Sequence, residues 1–245
     1  VLVHGRDPDR LQQVVAERRG LGGAPPEPLQ ADLASLAAVR GLAAEIAARG
    51  HELAVVIHNA GVFMKRRERS VDGFEMTLAV NHLAPFLLTH LLLESTPGDH
   101  LRAIINVSSI AHASGTLDLD DVQGLRAAFD GYDAYARSKL ANVLFTVELA
   151  RRLAHRRIAV NALHPGVTST KLLTEGFEMQ GRDSLADAAA TSVKLALDPA
   201  LAQATGGYYV QGRLTPASPL TRDRELARRF YELSAELVGV APLPG

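Results

Sequence analysis

One short apolar run, Ala103-Ile104-Ile105-Asn106-Val107, stops at Ser108-Ser109 and constrains the fold more than any other stretch of the chain. Rich in β-branched residues and bounded by serines, it reads as a strand buried in a parallel sheet. Ser109 then stands at the strand's carboxyl end, the edge at which open α/β sheets bind their ligands. After a loop of 25 residues comes Tyr135-Ala136-Arg137-Ser138-Lys139, at the head of a long helical pattern. Tyr135 and Lys139 are spaced i, i+4, so their side chains share one helix face about a turn apart. A hydroxyl, a phenol and an ammonium converge on one point.

That convergence has a chemical use. A tyrosine titrates near 10, and work near neutrality asks for a shift of roughly 3 units, about 4 kcal/mol. A lysine ammonium about 4 Å away, at an effective dielectric near 20, supplies an interaction of that size. The phenol becomes an acid/base, and Ser109 a donor that holds a carbonyl or hydroxyl oxygen against it. Ser108 is the alternative, because alternation along an extended chain aims the two side chains oppositely. The trio has no hydride source, which a nicotinamide cofactor must provide.

The alternation of strand and helix runs along the chain. Val1 to Gly5 reads as a strand, and Asp7 and Pro8 as the N-cap and first residue of the helix after it. Gly20-Leu21-Gly22-Gly23-Ala24-Pro25-Pro26 is glycine-rich, but it follows a helix and precedes a strand, the reverse of a phosphate-binding turn. Gly20 is therefore read as a helix C-cap and the rest as a loop. Further strands are predicted over 28–31, 53–58 and 158–163, and a last one at Tyr208-Tyr209-Val210. Helices are predicted from a Ser35 cap to Gly50, over 71–94, 132–154 and 185–197, and from Asp223 to Val238. Pro85, inside the second of these, should kink it and free carbonyls near Asn81.

No internal repeat or linker appears, so the 245 residues form one domain with a sizeable core. The net charge of −1 and scattered basic residues give no nucleic-acid partner. Absent cysteine excludes disulfides, thiol catalysis and cysteine-ligated zinc, and suits a reducing cytoplasmic setting. The acidic cluster Leu117 to Asp121 lacks the spacing of a metal site and reads as a solvated loop with a short helix. The apolar stretch Leu83 to Leu93, interrupted by His90, is too short to span a bilayer and reads as a buried helix, so the chain has no membrane segment. The basic run Arg151 to Arg157 reads as the cationic end of a helix, and His164 as a satisfied structural histidine.

At several ordered motifs the sequence resembles the short-chain dehydrogenase/reductase family. They are Asn59-Ala60-Gly61 after one apolar run, Asn106-Val107-Ser108-Ser109-Ile110-Ala111-His112, Tyr135-x-x-x-Lys139, Ser138 to Thr146, and Leu163-His164-Pro165-Gly166-Val167. The second, fourth and fifth are similar to the retinol dehydrogenase-like branch and its bacterial relatives. The resemblance implies a Rossmann-like, doubly wound parallel sheet in a single domain over 1–245, lacking the first βα unit with its glycine-rich pyrophosphate turn. A membrane anchor upstream, as in many vertebrate retinol dehydrogenases, would belong to that piece.

The resemblance also implies roles. Tyr135 is the acid/base, Lys139 its support, Ser109 the substrate-orienting group, and Asn81 the holder of a water that relays protons to the lysine. Asn59, Ala60 and Gly61 line the adenosine ribose, where His58 departs from the family's usual Asn. Asp32 and Leu33 reach the adenine; Pro165, Gly166, Thr168 and Thr170 hold the nicotinamide end. At the end of the first strand the pair Gly5-Arg6 offers a guanidinium fork and no carboxylate, which favours NADP over NAD. Residues 167–185 become a lid, with Leu172, Phe177 and Met179 lining an apolar site for a small carbonyl or alcohol substrate. Association as a homodimer or homotetramer accords with this family. Alternatives are a non-catalytic nucleotide sensor and an incomplete fragment that binds no cofactor.

Overall fold

The computed structural model describes residues 1–18, 23–95 and 100–244. The Gly20 cap, with Leu21 and Gly22 of the loop after it, lies outside the described residues. The strands are β1 (Leu2–Gly5), β2 (Glu27–Gln30), β3 (Val55–His58), β4 (Ala103–Val107), β5 (Ala159–His164), β6 (Tyr208–Val210) and β7 (Arg213–Leu214). The helices are α1 (Pro8–Arg18), α2 (Leu36–Ala48), α3 (Met76–Leu78), α4 (Ala84–Ser95), α5 (Gly131–Arg152), α6 (Leu185–Leu197) and α7 (Arg224–Val238). Their starts follow the chemistry of the sequence. The Asp7 carboxylate accepts from the amides of Asp9 and Arg10, Ser35 Oγ from Ala38, Asp130 from Asp133, and Asp223 from Leu226.

β1 and β2 form a parallel pair; β3, β4, β5 and β6 form a parallel ladder in that order, closed by antiparallel β7. This is the Rossmann-like α/β fold, its parallel strands among the described residues forming two ladders. Helix packing joins the ladders: α2 lies against α4, and Leu88 of α4 packs on Leu29 and Leu42. Within the larger ladder, alternate residues serve opposite faces. Ile104, Ala162 and Tyr208 meet the α5 side at Leu140 and Val143, while Ile105, Val107, Leu163 and Tyr209 meet Leu195 of α6. The main core gathers Phe86, Phe145, Phe230 and Tyr231 where α4, α5 and α7 meet, each about 1% exposed or less. Burying one such side chain contributes roughly 1.5–3 kcal/mol.

Three local expectations need correction and a fourth is extended. The helix predicted from Val71 starts at Met76, because Glu75 caps it by accepting from Thr77 and Leu78 amides, while Val71 is 82% exposed beside the Asp72-Gly73 turn. The α-helical ladder is interrupted just before Pro85, as expected, but the apolar helix is longer than Leu83 to Leu93. A π-helical turn, Ala79–Leu83, passes directly into α4, and the resulting 20-residue helix Met76–Ser95 is long and apolar enough to cross a membrane, though 83% of its most apolar window is buried inside the fold. Tyr208–Val210 is not the last strand, since Gln211-Gly212 turns the chain back into β7. Arg152 does stand in the last turn of α5, and it does more than close the helix: it is 5% exposed, pairs with buried Glu148 at 2.6 Å, lies over the Tyr231 ring and donates to the Leu243 carbonyl.

Candidate active site

The sequence-selected residues sit at the carboxyl ends of five parallel strands: Gly5 and Arg6 at β1, Asp32 and Leu33 beyond β2, Asn59 to Gly61 beyond β3, Ser108 and Ser109 beyond β4, Pro165 to Thr170 beyond β5. Hydrogen bonds stitch the exit of β4 to α5. Ser108 Oγ donates to the Lys139 carbonyl at 2.8 Å and is buried, while Lys139 Nζ returns a bond to the Val107 carbonyl at 2.9 Å. Ser108 is thereby committed to the scaffold. Ser109, in extended conformation at φ −159° and ψ 161°, caps the turn Ile110–Ala113 through a 3.2 Å bond from Ala111, and its hydroxyl faces the Tyr135 phenol. The two serines do point oppositely, and Ser109 is the one at the phenol.

Asn81 lies beneath the site and is 1% exposed. Its Oδ1 accepts from the Val62 amide at 2.7 Å and its Nδ2 donates to the Val62 carbonyl at 3.0 Å, a two-point clasp on the loop after β3. Nδ2 also donates to Ser138 Oγ at 3.0 Å, and that hydroxyl donates to the Tyr135 carbonyl at 2.7 Å. One polar chain thus runs from the β3 loop through the π-helical turn to the residue that bears the phenol. Pro85 has no N–H for the Asn81 carbonyl four residues before it, as the sequence led one to expect. Gly61 leaves room over two of these groups. A Cβ there would lie in ordinary contact, 3.4 Å from both Asn81 Oδ1 and Lys139 Nζ.

Burial dominates the electrostatics. Tyr135, 7% exposed, is pushed up to about 12 by desolvation, which Ser109 offsets in part. Lys139 is pushed down to about 8, also by burial. The expected lowering of the phenol by the lysine is therefore not the outcome here. The ammonium lies 5.5 Å from the centre of the Tyr135 ring and donates to a backbone carbonyl.

Above the phenol, Leu172 and Phe177, from the segment predicted as a lid, join Phe63 of the β3 loop around Tyr135 and Ala111. Phe63 and Phe177 are 4.2 Å apart, and Phe177 meets the Tyr135 ring edge-on at 5.0 Å. Met179 is not brought in, being 52% exposed. Beside this roof the Gly166 turn, at φ +98°, is clasped by Asp183, whose Oδ2 accepts from the Val167 amide at 2.5 Å. Thr168 Oγ1 is buried with no partner among the described residues, whereas Thr170 is exposed and its carbonyl is held by Thr174 at 2.9 Å. His164 is buried yet not satisfied, because its Nδ1 also has no partner among the described residues. It faces a cavity of about 370 Å³ between the Pro165-Gly166 turn, α6 and the Gln211-Gly212 turn, which Tyr135 does not line.

The outlying residues are less engaged. Arg6 is exposed and forms no ion pair among the described residues; Asp32 uses Oδ1 on the Ala34 amide at 2.9 Å, and Leu33 is packed against the core. Asn59 and Ala60 are exposed, and His58 ties β3 to Thr89 of α4 at 2.8 Å, which accounts for a histidine there. The acidic cluster is turn chemistry: Asp118 caps Leu119–Asp121, and Asp121 accepts from the Leu125 and Arg126 amides. Phe63 and Ser138 were not singled out as site residues. Ser138 lies inside a recognised motif, but Phe63 sits in a loop whose path no local pattern fixes.

Comparison with known proteins places the chain in a family. The family model for short chain dehydrogenase matches residues 1–181. Retinol dehydrogenase 13 of Homo sapiens is 40% identical over 231 residues, covering 85% of this chain and 67% of that protein. A Streptomyces sp. (strain C5) protein named as a daunorubicin C-13 ketoreductase, DnrU, is 39% identical over 245 residues, covering 98% of this chain and 84% of its own. Among solved structures, an uncharacterized protein from Mycobacterium Paratuberculosis superposes with a TM-score of 0.79 at 30% identity, over 100% of this chain and 85% of that one. A short chain dehydrogenase from Burkholderia cenocepacia J2315, solved in complex with NADP, gives 0.61 at 25% identity, over 86% and 84% of the two chains.

Proposed function

The chain belongs to the short-chain dehydrogenase family and is an oxidoreductase acting on a carbonyl/alcohol pair, and from that premise we propose that it interconverts an apolar aldehyde or ketone and its alcohol, with NADP(H), at Tyr135. The observation behind this reading is the buried phenol with the Ser109 hydroxyl in front of it and the Lys139 ammonium behind it. When bound, the cofactor supplies or accepts the hydride. Residues fit to hold it are Gly61, which keeps the space over Asn81 and Lys139 open, Thr168 with its unpartnered hydroxyl, and Arg6, whose fork suits a 2′-phosphate. A relative solved with NADP supports a nicotinamide cofactor.

Ser109 donates to the substrate oxygen and holds it against the phenol. Tyr135, kept protonated by burial, gives its proton to that oxygen in reduction and takes it back in oxidation. Lys139, its own proton loosened to about 8, steadies the phenolate and exchanges protons beneath it. Asn81 holds the β3 loop and, through its carbonyl, a water for that exchange. Leu172, Phe177 and Phe63 give the substrate an apolar wall, in keeping with relatives named for retinol and daunorubicin.

Tyr135→Phe removes only the acid, so turnover should fall by about 10² to 10⁴-fold. NADPH affinity, read by fluorescence titration, should stay unchanged. Turnover equal to that of the unaltered chain would overturn the assignment.

A further inference from the structure

Three residues past Ser109 lies a buried imidazole that the proposed chemistry does not use. His112 is 3% exposed. Its Nδ1 lies 2.6 Å from the Ser109 carbonyl oxygen, and its Nε2 lies 3.1 Å from the Ser218 backbone nitrogen. A carbonyl oxygen only accepts and an amide N–H only donates, so Nδ1 must bear the proton and Nε2 must be bare. An imidazolium would set Nε2–H against the Ser218 N–H. The other neutral tautomer would fail at both ends.

The two segments joined this way are far apart in sequence. One is the turn carrying Ser109. The other begins at Ser218, which is 4% exposed and whose carbonyl accepts from Thr221 N and Oγ1 at 3.0 and 2.7 Å, just before α7. The Tyr208 ring, 4.4 Å from the imidazole centre, holds its plane. The same Ser109 carbonyl accepts from the His112 amide at 3.2 Å. The side chain therefore adds a second, externally anchored donor to the one carbonyl that sets how the Ser109 backbone is turned.

We infer that His112 is a positioning residue for the reaction: its Nδ1–H, braced from Ser218, fixes the Ser109 peptide and so the direction from which Ser109 Oγ meets the substrate oxygen. This rests on the reading of Ser109 given above. An error of tenths of an ångström at that hydroxyl acts on the chemical step more than on binding.

Two substitutions separate the two ring nitrogens. His112→Asn keeps a donor where Nδ1 stands and loses the Ser218 contact; His112→Gln keeps an acceptor where Nε2 stands and loses the Ser109 contact. Gln should lower kcat roughly tenfold with KM within about twofold, the worth of one misplaced hydrogen bond, while Asn, which keeps the donor and loses only the brace, should lower kcat by a smaller factor, about threefold, with KM within about twofold. Equal losses in the two variants, or losses that follow thermal stability, would overturn the proposal. Nitrogen-15 NMR of the unaltered chain, labelled at histidine, gives a readout without activity. The Nδ1–H neutral form is expected at neutral pH, and an Nε2–H or charged ring would overturn the bracket. If the unaltered chain reduced no carbonyl compound, the Ser109 reading would fall whatever the tautomer, so the two failures are distinct.

Discussion

The Tyr135 ring lies between two layers held in different ways. Beneath it, Asn81, Ser138, Ser108 and Lys139 are each 3% exposed or less and are joined to one another or to strand ends by hydrogen bonds of 2.7 to 3.0 Å. Above it, Phe63, Leu172 and Phe177 are half-buried and held by ring contacts, with the Lys65–Glu178 ion pair at the surface as their polar link. A satisfied polar layer is rigid because breaking any member leaves a buried partner uncompensated. An apolar roof with an exposed ion pair opens at little cost. On the proposed function, the difference would separate the part that sets chemistry from the part that admits substrate.

The strongest way to break that comparison is at Lys139, where function and stability should move in opposite directions. Its pKa is depressed from 10.5 to about 8, so the unfolded chain holds this proton more tightly than the folded one. Folding therefore carries the full penalty below pH 8, on the order of 3 kcal/mol, and is relieved as pH rises towards 10.5. Lys139→Met should lose turnover by at least about 10²-fold. In urea titrations it should be more stable than the parent at pH 7, with the gain fading between pH 8 and 10.5. A loss of stability at pH 7 would mean that the floor needs the ammonium for its structure.

Asn81→Ala tests the floor without touching a charge. It leaves the Val62 amide and the Ser138 hydroxyl short of partners, and should cost about 3 kcal/mol in urea unfolding. Turnover should fall with it, because Ser138 holds the Tyr135 carbonyl. Phe177→Ala tests the roof. Global stability should change by less than about 1 kcal/mol, but opening the ring's cover relaxes the burial that holds Tyr135 at about 12. KM for an apolar carbonyl should rise several-fold, and the alkaline limb of the pH–rate profile should shift downward.

The same division marks how much could be read in advance. Short β-branched runs fixed four strands of the large ladder, and helical spacing put Tyr135 and Lys139 on one face; both are local rules. The choice of Ser109 over Ser108 came from the family pattern, strand alternation saying only that the two side chains oppose one another, and Ser108 Oγ is the hydroxyl that α5 occupies. The roof depends on where loops travel: Phe63 has no periodic neighbours, and Met179, apolar by composition, points out. Arg152 was legible as part of the cationic end of α5 but not as a buried group, because Tyr231 and Leu243, which enclose it, arrive with α7 and the chain beyond. For Tyr135 a pairwise Coulomb estimate gave the wrong direction, because desolvation is set by the whole fold.

The smallest effect expected is at the rim of the roof. Lys65 and Glu178 are 52% and 76% exposed, so their attraction is screened by water and salt. Lys65→Ala should leave kcat unchanged and alter KM by less than about twofold at low salt. That difference should vanish near 1 M salt, where the Debye length shortens to about 3 Å. A larger, salt-independent change would mean that the pair does more than tether Phe177 to Phe63, and that the roof is as tightly specified as the floor.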